Sequence, residues 1–170
     1  MGLPDMKSKI LLFIFSVAAV LTPAWAATDD VPWPAVVKSV RHEFRGIRYN
    51  YFGPNWLVNE QIIMGLGIPN PARHVADGNT LVSGCRRHSC DEKSSVIVTP
   101  AGAMLAAGLI YLSCDGDLDK KIPAVDCKLR PHFRIFMKQK NDRPTLVQEL
   151  KDWAAREGFT GTAEKQILRP

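Results

Sequence analysis

No stretch of the sequence reaches the ~20 consecutive apolar residues that a membrane-crossing helix needs, and no segment repeats within its 170 residues. The common catalytic signatures are missing too: there is no G-x-S-x-G elbow, no H-E-x-x-H and no phosphate-cradling G-x-x-x-x-G-K-[ST]. The four cysteines lack the C-x2-C knuckle of structural zinc sites. Charge of one sign is also in short supply. With 22 Lys plus Arg against 17 Asp plus Glu, a net +5 is too thin for a disordered chain and short of a nucleic-acid-binding footprint. His42, His74, His88 and His132 are dispersed, with no companion pattern that would make any of them a catalyst. These absences argue for a protein that is not an enzyme, carries no cofactor or metal and does not bind nucleic acid.

What is present begins with an export signal. Lys7 and Lys9 precede an apolar run from Ile10 to Leu21, broken only by Ser16, and Ala24-Trp25-Ala26 supplies the small residues of a signal-peptidase site. Residues 1–26 read as a cleaved signal peptide and 27–170 as a single domain. Loss of Asp5, Lys7 and Lys9 lowers the net charge of +5 by one. No cysteine follows the cut and no twin-Arg pair precedes the run, so the exported protein is expected to carry no membrane anchor.

Cys85, Cys90, Cys114 and Cys127 all lie in the exported part, where an even count favours disulfides. Three pairings are possible. Pairing nearest neighbours, Cys85 with Cys90 and Cys114 with Cys127, closes two short loops that chain entropy values at roughly 2 and 3 kcal/mol. Between the last two cysteines, Asp115, Asp117, Asp119 and Asp126 follow the spacing of a calcium loop. Lys120 stands where that loop demands glycine and Pro123 interrupts it, so a solvated acidic loop is the better reading.

Hydrophobic period gives the architecture. Val36, Val37, Val40, Phe44 and Ile47 recur at helical spacing, predicting a helix over about Ala35–Arg45 stopped by Gly46. Trp56–Leu66 reads as a second helix, broken by Gly67, Pro69, Asn70 and Pro71. Strands are predicted at Thr80–Ser83, Ser95–Thr99 and Met104–Leu112, with a turn at Pro100-Ala101-Gly102, and around Phe133, Ile135 and Met137. Thr145 with Gln148 forms a capping-box signature before a helical face of Leu146, Leu150, Trp153 and Ala154, ended by Gly158. The tail from Thr160 to Pro170 is predicted to fray. The whole is an α+β fold, an antiparallel sheet of about five strands with helices packed on its faces.

One stretch stands out by construction: Cys85-Arg86-Arg87-His88-Ser89-Cys90, between two predicted strands. A bridge across it makes a small rigid loop with Arg86, Arg87 and His88 at the tip, ordered before any partner arrives. On construction alone the plainer reading is a bridged hairpin whose polar tip is solvated. The stretch resembles the CKPHDC loop of the inhibitor of vertebrate lysozyme (Ivy) family, periplasmic proteins of Gram-negative bacteria. Asn70-Pro71-Ala72-Arg73-His74-Val75, the Asp77-Gly78 turn and Leu81-Val82-Ser83-Gly84 resemble the segment leading into that loop, and Trp56 falls near a family tryptophan. The family's Pro and Asp stand where this chain has Arg87 and Ser89.

The resemblance implies an inhibitor located in the periplasm that inserts the Cys85–Cys90 loop into the cleft of a c-type lysozyme, and a homodimer. Lysozymes cut glycan with two facing carboxyl groups. His88 would sit between them, donating from both ring nitrogens when protonated, with Arg86 adding a charge-assisted contact. The alternative is an envelope protein that controls an endogenous lytic transglycosylase or binds another acidic partner.

Overall fold

A computed structural model describes residues 31–114, 128–138 and 143–168. The expected signal peptide, the Asp115–Asp126 loop and Cys127 lie outside the described residues. The chain runs α1 (Trp33–Glu43), the short antiparallel pair β1 (Arg48–Tyr49) and β2 (Trp56–Leu57), α2 (Val58–Gly65), β3 (Ile68–Pro69), β4 (Arg73–His74) and a 3-10 turn (Ala76–Gly78). It continues through β5 (Thr80–Arg86), β6 (Ser89–Val98), β7 (Met104–Cys114), β8 (Leu129–Lys138), α3 (Pro144–Arg156) and β9 (Ala163–Leu168). The fold is α+β. Its main sheet has seven strands rather than about five, in the order β3-β5-β6-β7-β8-β9 with β4 also on β5, and it is mixed because β9 runs parallel to β8.

Alternation along the strands sorts apolar side chains onto two faces. Val82, Val96, Val98, Met104, Ala107, Leu109, Tyr111 and Phe136 meet Val36, Val40 and Phe44 of α1 and Val58 and Ile62 of α2. Leu81, Ile97, Ala106, Ile110, Phe133, Ile135 and Met137 meet Leu146, Leu150, Trp153 and Ala154 of α3, with Phe159. The sheet is therefore sandwiched, and its central strands read as near-continuous apolar runs because both faces are buried. No helix among the described residues is long and apolar enough to cross a membrane.

Local chemistry explains the element ends. Helix α1 starts two residues earlier than its sequence period suggests, because Pro34 fits inside a first turn that needs no N–H from it. Helix α2 is shorter than Trp56–Leu66, since Trp56 and Leu57 pair with β1 instead. The capping box is not formed. Arg143 is the N-cap and makes no side-chain cap bond, Pro144 takes the first turn, and Gln148 donates instead to Asp152 at 2.7 Å. The C-terminus of α3 does follow its glycine: Gly158 has φ +87°, and Phe159 and Gly158 donate to the carbonyls of Ala154 and Ala155 at 2.9 and 3.0 Å, a Schellman closure. The tail is not frayed over Ala163–Leu168, which forms β9 along the outer edge of β8 from Phe133 to Lys138.

An aromatic layer fills the first core between the β1–β2 loop and the sheet. Tyr49 stacks on Tyr51 at 4.6 Å, and Tyr51 meets Tyr111 at 4.8 Å. The Arg134 guanidinium lies over the rings of Tyr49 and Tyr51 and pairs with Glu164 of β9. Burial pushes the Tyr51 hydroxyl well above its ordinary value, against the pull of Arg134 and helped by Tyr111 and Tyr49. A raised folded value contributes stability that is complete below the ordinary tyrosine value near 10 and is lost as pH climbs above it toward the folded value. Urea midpoints are expected to stay level up to about pH 9 from this group and to fall above about pH 10. Tyr51→Phe should flatten that fall, and an unchanged alkaline profile in the variant would count against it.

Candidate functional site

The chain reverses from β5 to β6 at Arg87-His88, with Arg86 paired to Ser89. His88 sits at φ +64°, a left-handed position that histidine, asparagine and aspartate fill more readily than most residues. Arg87 and His88 are exposed and Ser89 is half-buried. Below the turn the ladder is irregular: Cys85 faces Lys93 while the next residue, Arg86, faces Ser89. Cys90, Asp91 and Glu92 thus have no opposite number on β5, and β6 bulges.

Two links staple that bulge. Cys85 and Cys90 are joined in a disulfide, with Cα atoms 4.8 Å apart, which removes both from any thiolate metal site. Arg86 donates to the Glu92 carboxylate and, at 3.4 Å, to the Phe52 carbonyl, and its guanidinium lies 5.7 and 5.8 Å from the ring centres of Phe52 and Trp56. Arg86 is therefore not a free cation at the tip, as the sequence suggested. It turns back onto the β1–β2 loop, and the tip presents Arg87 and His88. Cys114 is also disulfide-bonded, and Cys127 lies outside the described residues.

The base of the hairpin is held from both sides. Strand β3 pairs Ile68 with Cys85 and Pro69 with Gly84, and a Cβ on Gly84 would come within 2.6 Å of the Ile68 carbonyl oxygen. Only glycine admits that crossing without a shift. Asn70 donates from its backbone to Ser83 at 2.9 Å and from its side chain to Glu157 at 3.3 Å, and Lys93 pairs with Glu157 at 2.7 Å. The Asn70–Val75 stretch thus runs beside β5, with Arg73 and His74 on Leu81 and Thr80, and the hairpin is tied to the end of α3.

The other histidines do not join the site. His42 and His74 are exposed elsewhere, and His132 stacks on Tyr111 at 5.5 Å. Among the described residues no group of three or more His, Cys, Asp or Glu is placed to hold a metal ion. A shallow groove lined by Pro144, Val147, Gln148, Lys151 and Lys165 lies along α3 and β9, and neither Arg87 nor His88 lines it. Sequence reasoning missed Glu92 and Phe52: the second of two acids after Cys90 and an aromatic 34 positions before Arg86 carry no local signal of their roles. The site is read from its own geometry, since no family model, no curated protein and no solved structure matches the chain.

Proposed function

We propose that the protein is an exported inhibitor of a glycan-cleaving enzyme, a lysozyme of the c-type, that inserts the Cys85–Cys90 hairpin into the catalytic cleft. The observation that supports this most is the division of labour in the hairpin. Arg86 and Glu92 neutralise each other at its base, leaving Arg87 and His88 exposed on a turn stapled by a disulfide and backed by β3. A pre-ordered tip loses little conformational entropy on docking, which is how a short segment achieves tight binding. The cleft it fits carries two carboxyl groups, and an imidazole between them has a hydrogen-bonding nitrogen on each side of its ring to meet them. Inhibition is stoichiometric occlusion, with no bond made or broken. The reading places the protein in the periplasm, protecting peptidoglycan.

The test is a turnover assay on peptidoglycan with the mature protein titrated against a c-type lysozyme and, separately, a lytic transglycosylase. Inhibition saturating near one inhibitor per enzyme is expected, and Cys85→Ser/Cys90→Ser should weaken it by about tenfold, as the loop must then be ordered on binding. No inhibition of either enzyme at stoichiometric excess overturns the reading.

A further inference from the structure

Gln61 of α2 is at 0% exposure, and both polar atoms of its amide are used on one loop. Its oxygen accepts from the Phe52 backbone N–H at 2.6 Å, and its nitrogen donates to the carbonyls of Tyr49 and Trp56 at 2.9 and 3.0 Å. The chain between β1 and β2 thus folds around a single side chain, which satisfies backbone groups that no helix or sheet pairs there. The rest of the loop closes on itself. Asn55, at φ +57°, donates from its backbone to the Asn50 side chain at 2.6 Å, and Arg48 donates to the Asn55 carbonyl at 2.9 Å. The Trp56 ring lies so close over Gly53 that a Cβ there would come within 2.5 Å of it.

The residues that Gln61 fixes are the ones that meet Arg86. Phe52 offers its carbonyl and its ring to the guanidinium, and Trp56 offers its ring. Arg86 stands immediately before the exposed Arg87-His88 turn, so the seat of its guanidinium limits where that turn points. The ladder cannot set the direction alone. Cys90, Asp91 and Glu92 have no opposite number on β5, and they are held by the disulfide and by Glu92, whose partner is again Arg86. Resting on the inhibitor reading above, we infer that Gln61 is the positioning residue of the inhibitory tip: through Phe52 and Trp56 it fixes Arg86, and through Arg86 the direction in which Arg87 and His88 project. It touches no target itself. An amide suits the place, because one main-chain donor and two main-chain acceptors need a side chain with one acceptor and two donors; a carboxylate lacks the donors and an apolar chain of the same length lacks both. A tip already aimed loses less entropy on docking than the same residues on a wandering one.

The experiment disturbs the loop by two routes, so that a failure of one variant to fold leaves the other. Gln61→Met keeps the length and removes the amide, and Gly53→Ala displaces the Trp56 ring while leaving Gln61 in place. Backbone amide order parameters at Arg87 and His88 are expected to fall in both from the rigid range of ~0.85 toward ~0.6. Inhibition of whichever of the two enzymes the wild type inhibits should weaken about tenfold in each. Ile135→Val, a destabilising change in the core on the other face of the sheet, should leave order parameters and inhibition at their wild-type values. In an Arg86→Met/Glu92→Leu background, itself about tenfold weaker, neither loop variant should weaken inhibition further, since the link through which they act is already gone. Rigid tips and full inhibition in both loop variants overturn the inference, as do losses that add to about a hundredfold in that background. A wild type that inhibits neither enzyme, with tips that still loosen in both variants, overturns the inhibitor reading alone and leaves the hold of Gln61 on the tip standing.

Discussion

His88→Asn is expected to reduce inhibition at least ~30-fold while leaving the urea midpoint within experimental error of wild type, because a central anchor of an interface is worth about 2 kcal/mol or more. Asparagine is the informative replacement. His88 holds φ +64°, and alanine there would add a left-handed backbone penalty of roughly 1 kcal/mol to the loss of the ring. Asparagine tolerates that conformation and still forms hydrogen bonds, so the comparison isolates the imidazole. His88→Gly keeps the turn by a different route and should inhibit as poorly as the asparagine variant. Undiminished inhibition by His88→Asn would show that the ring does not enter the cleft.

Glu92→Gln should destabilise the protein by about 2 kcal/mol in urea denaturation. The pair is largely withdrawn from water, with side-chain exposures of 26% for Arg86 and 11% for Glu92. Removing the carboxylate charge leaves the guanidinium against Phe52 and Trp56 with only neutral acceptors, the glutamine amide oxygen and the Phe52 carbonyl. A buried charge stripped of its partner costs more than the pair gained by forming. Accordingly Arg86→Met/Glu92→Leu, which removes both charges and keeps the volume apolar, is expected to recover most of the loss. A change below about 0.5 kcal/mol in Glu92→Gln would mean that solvent screens the pair as it does an ordinary surface ion pair.

The sequence was legible where one short-range rule governs. Leu81-Val82, Val96-Ile97-Val98 and Met104–Leu112 announce buried strands by unbroken apolar character, and Gly102 and Gly158 mark reversals where φ is positive, at +79° and +87°. It was not legible where a partner far along the chain decides. Ser89–Ser94 is polar enough to read as loop, yet it is strand because Ser89, Lys93 and Ser94 pair with β5, and Lys93 and Ser94 with β7 as well. Ala163–Leu168 alternates weakly and faces water along one side, and only the outer edge of β8 makes it a strand. The capping box at Thr145 failed for a local reason that period does not weigh, since Pro144 occupies the first turn and moves the cap to Arg143. At the candidate site the spacing of the cysteines left three pairings open, and the fold shows Cys85 joined to Cys90; the engagement of Arg86 depends on Phe52 and Trp56, which only the folded chain brings near.

The parallel pairing of β9 with β8 sets the order in which the protein can be completed. Strand β8 stays an open edge until α3 has crossed the sheet and Ala163–Leu168 has arrived, so the last element of the described chain seals the first hazard. Until then Phe133, Ile135 and Met137 sit on a strand whose outer backbone N–H and C=O groups are unpaired, a template for another chain. Parallel crossovers form late because their loop entropy is spent before their contacts reward it. The most aggregation-prone moment of folding therefore comes late, after β8 has joined the sheet and before Ala163–Leu168 covers its edge.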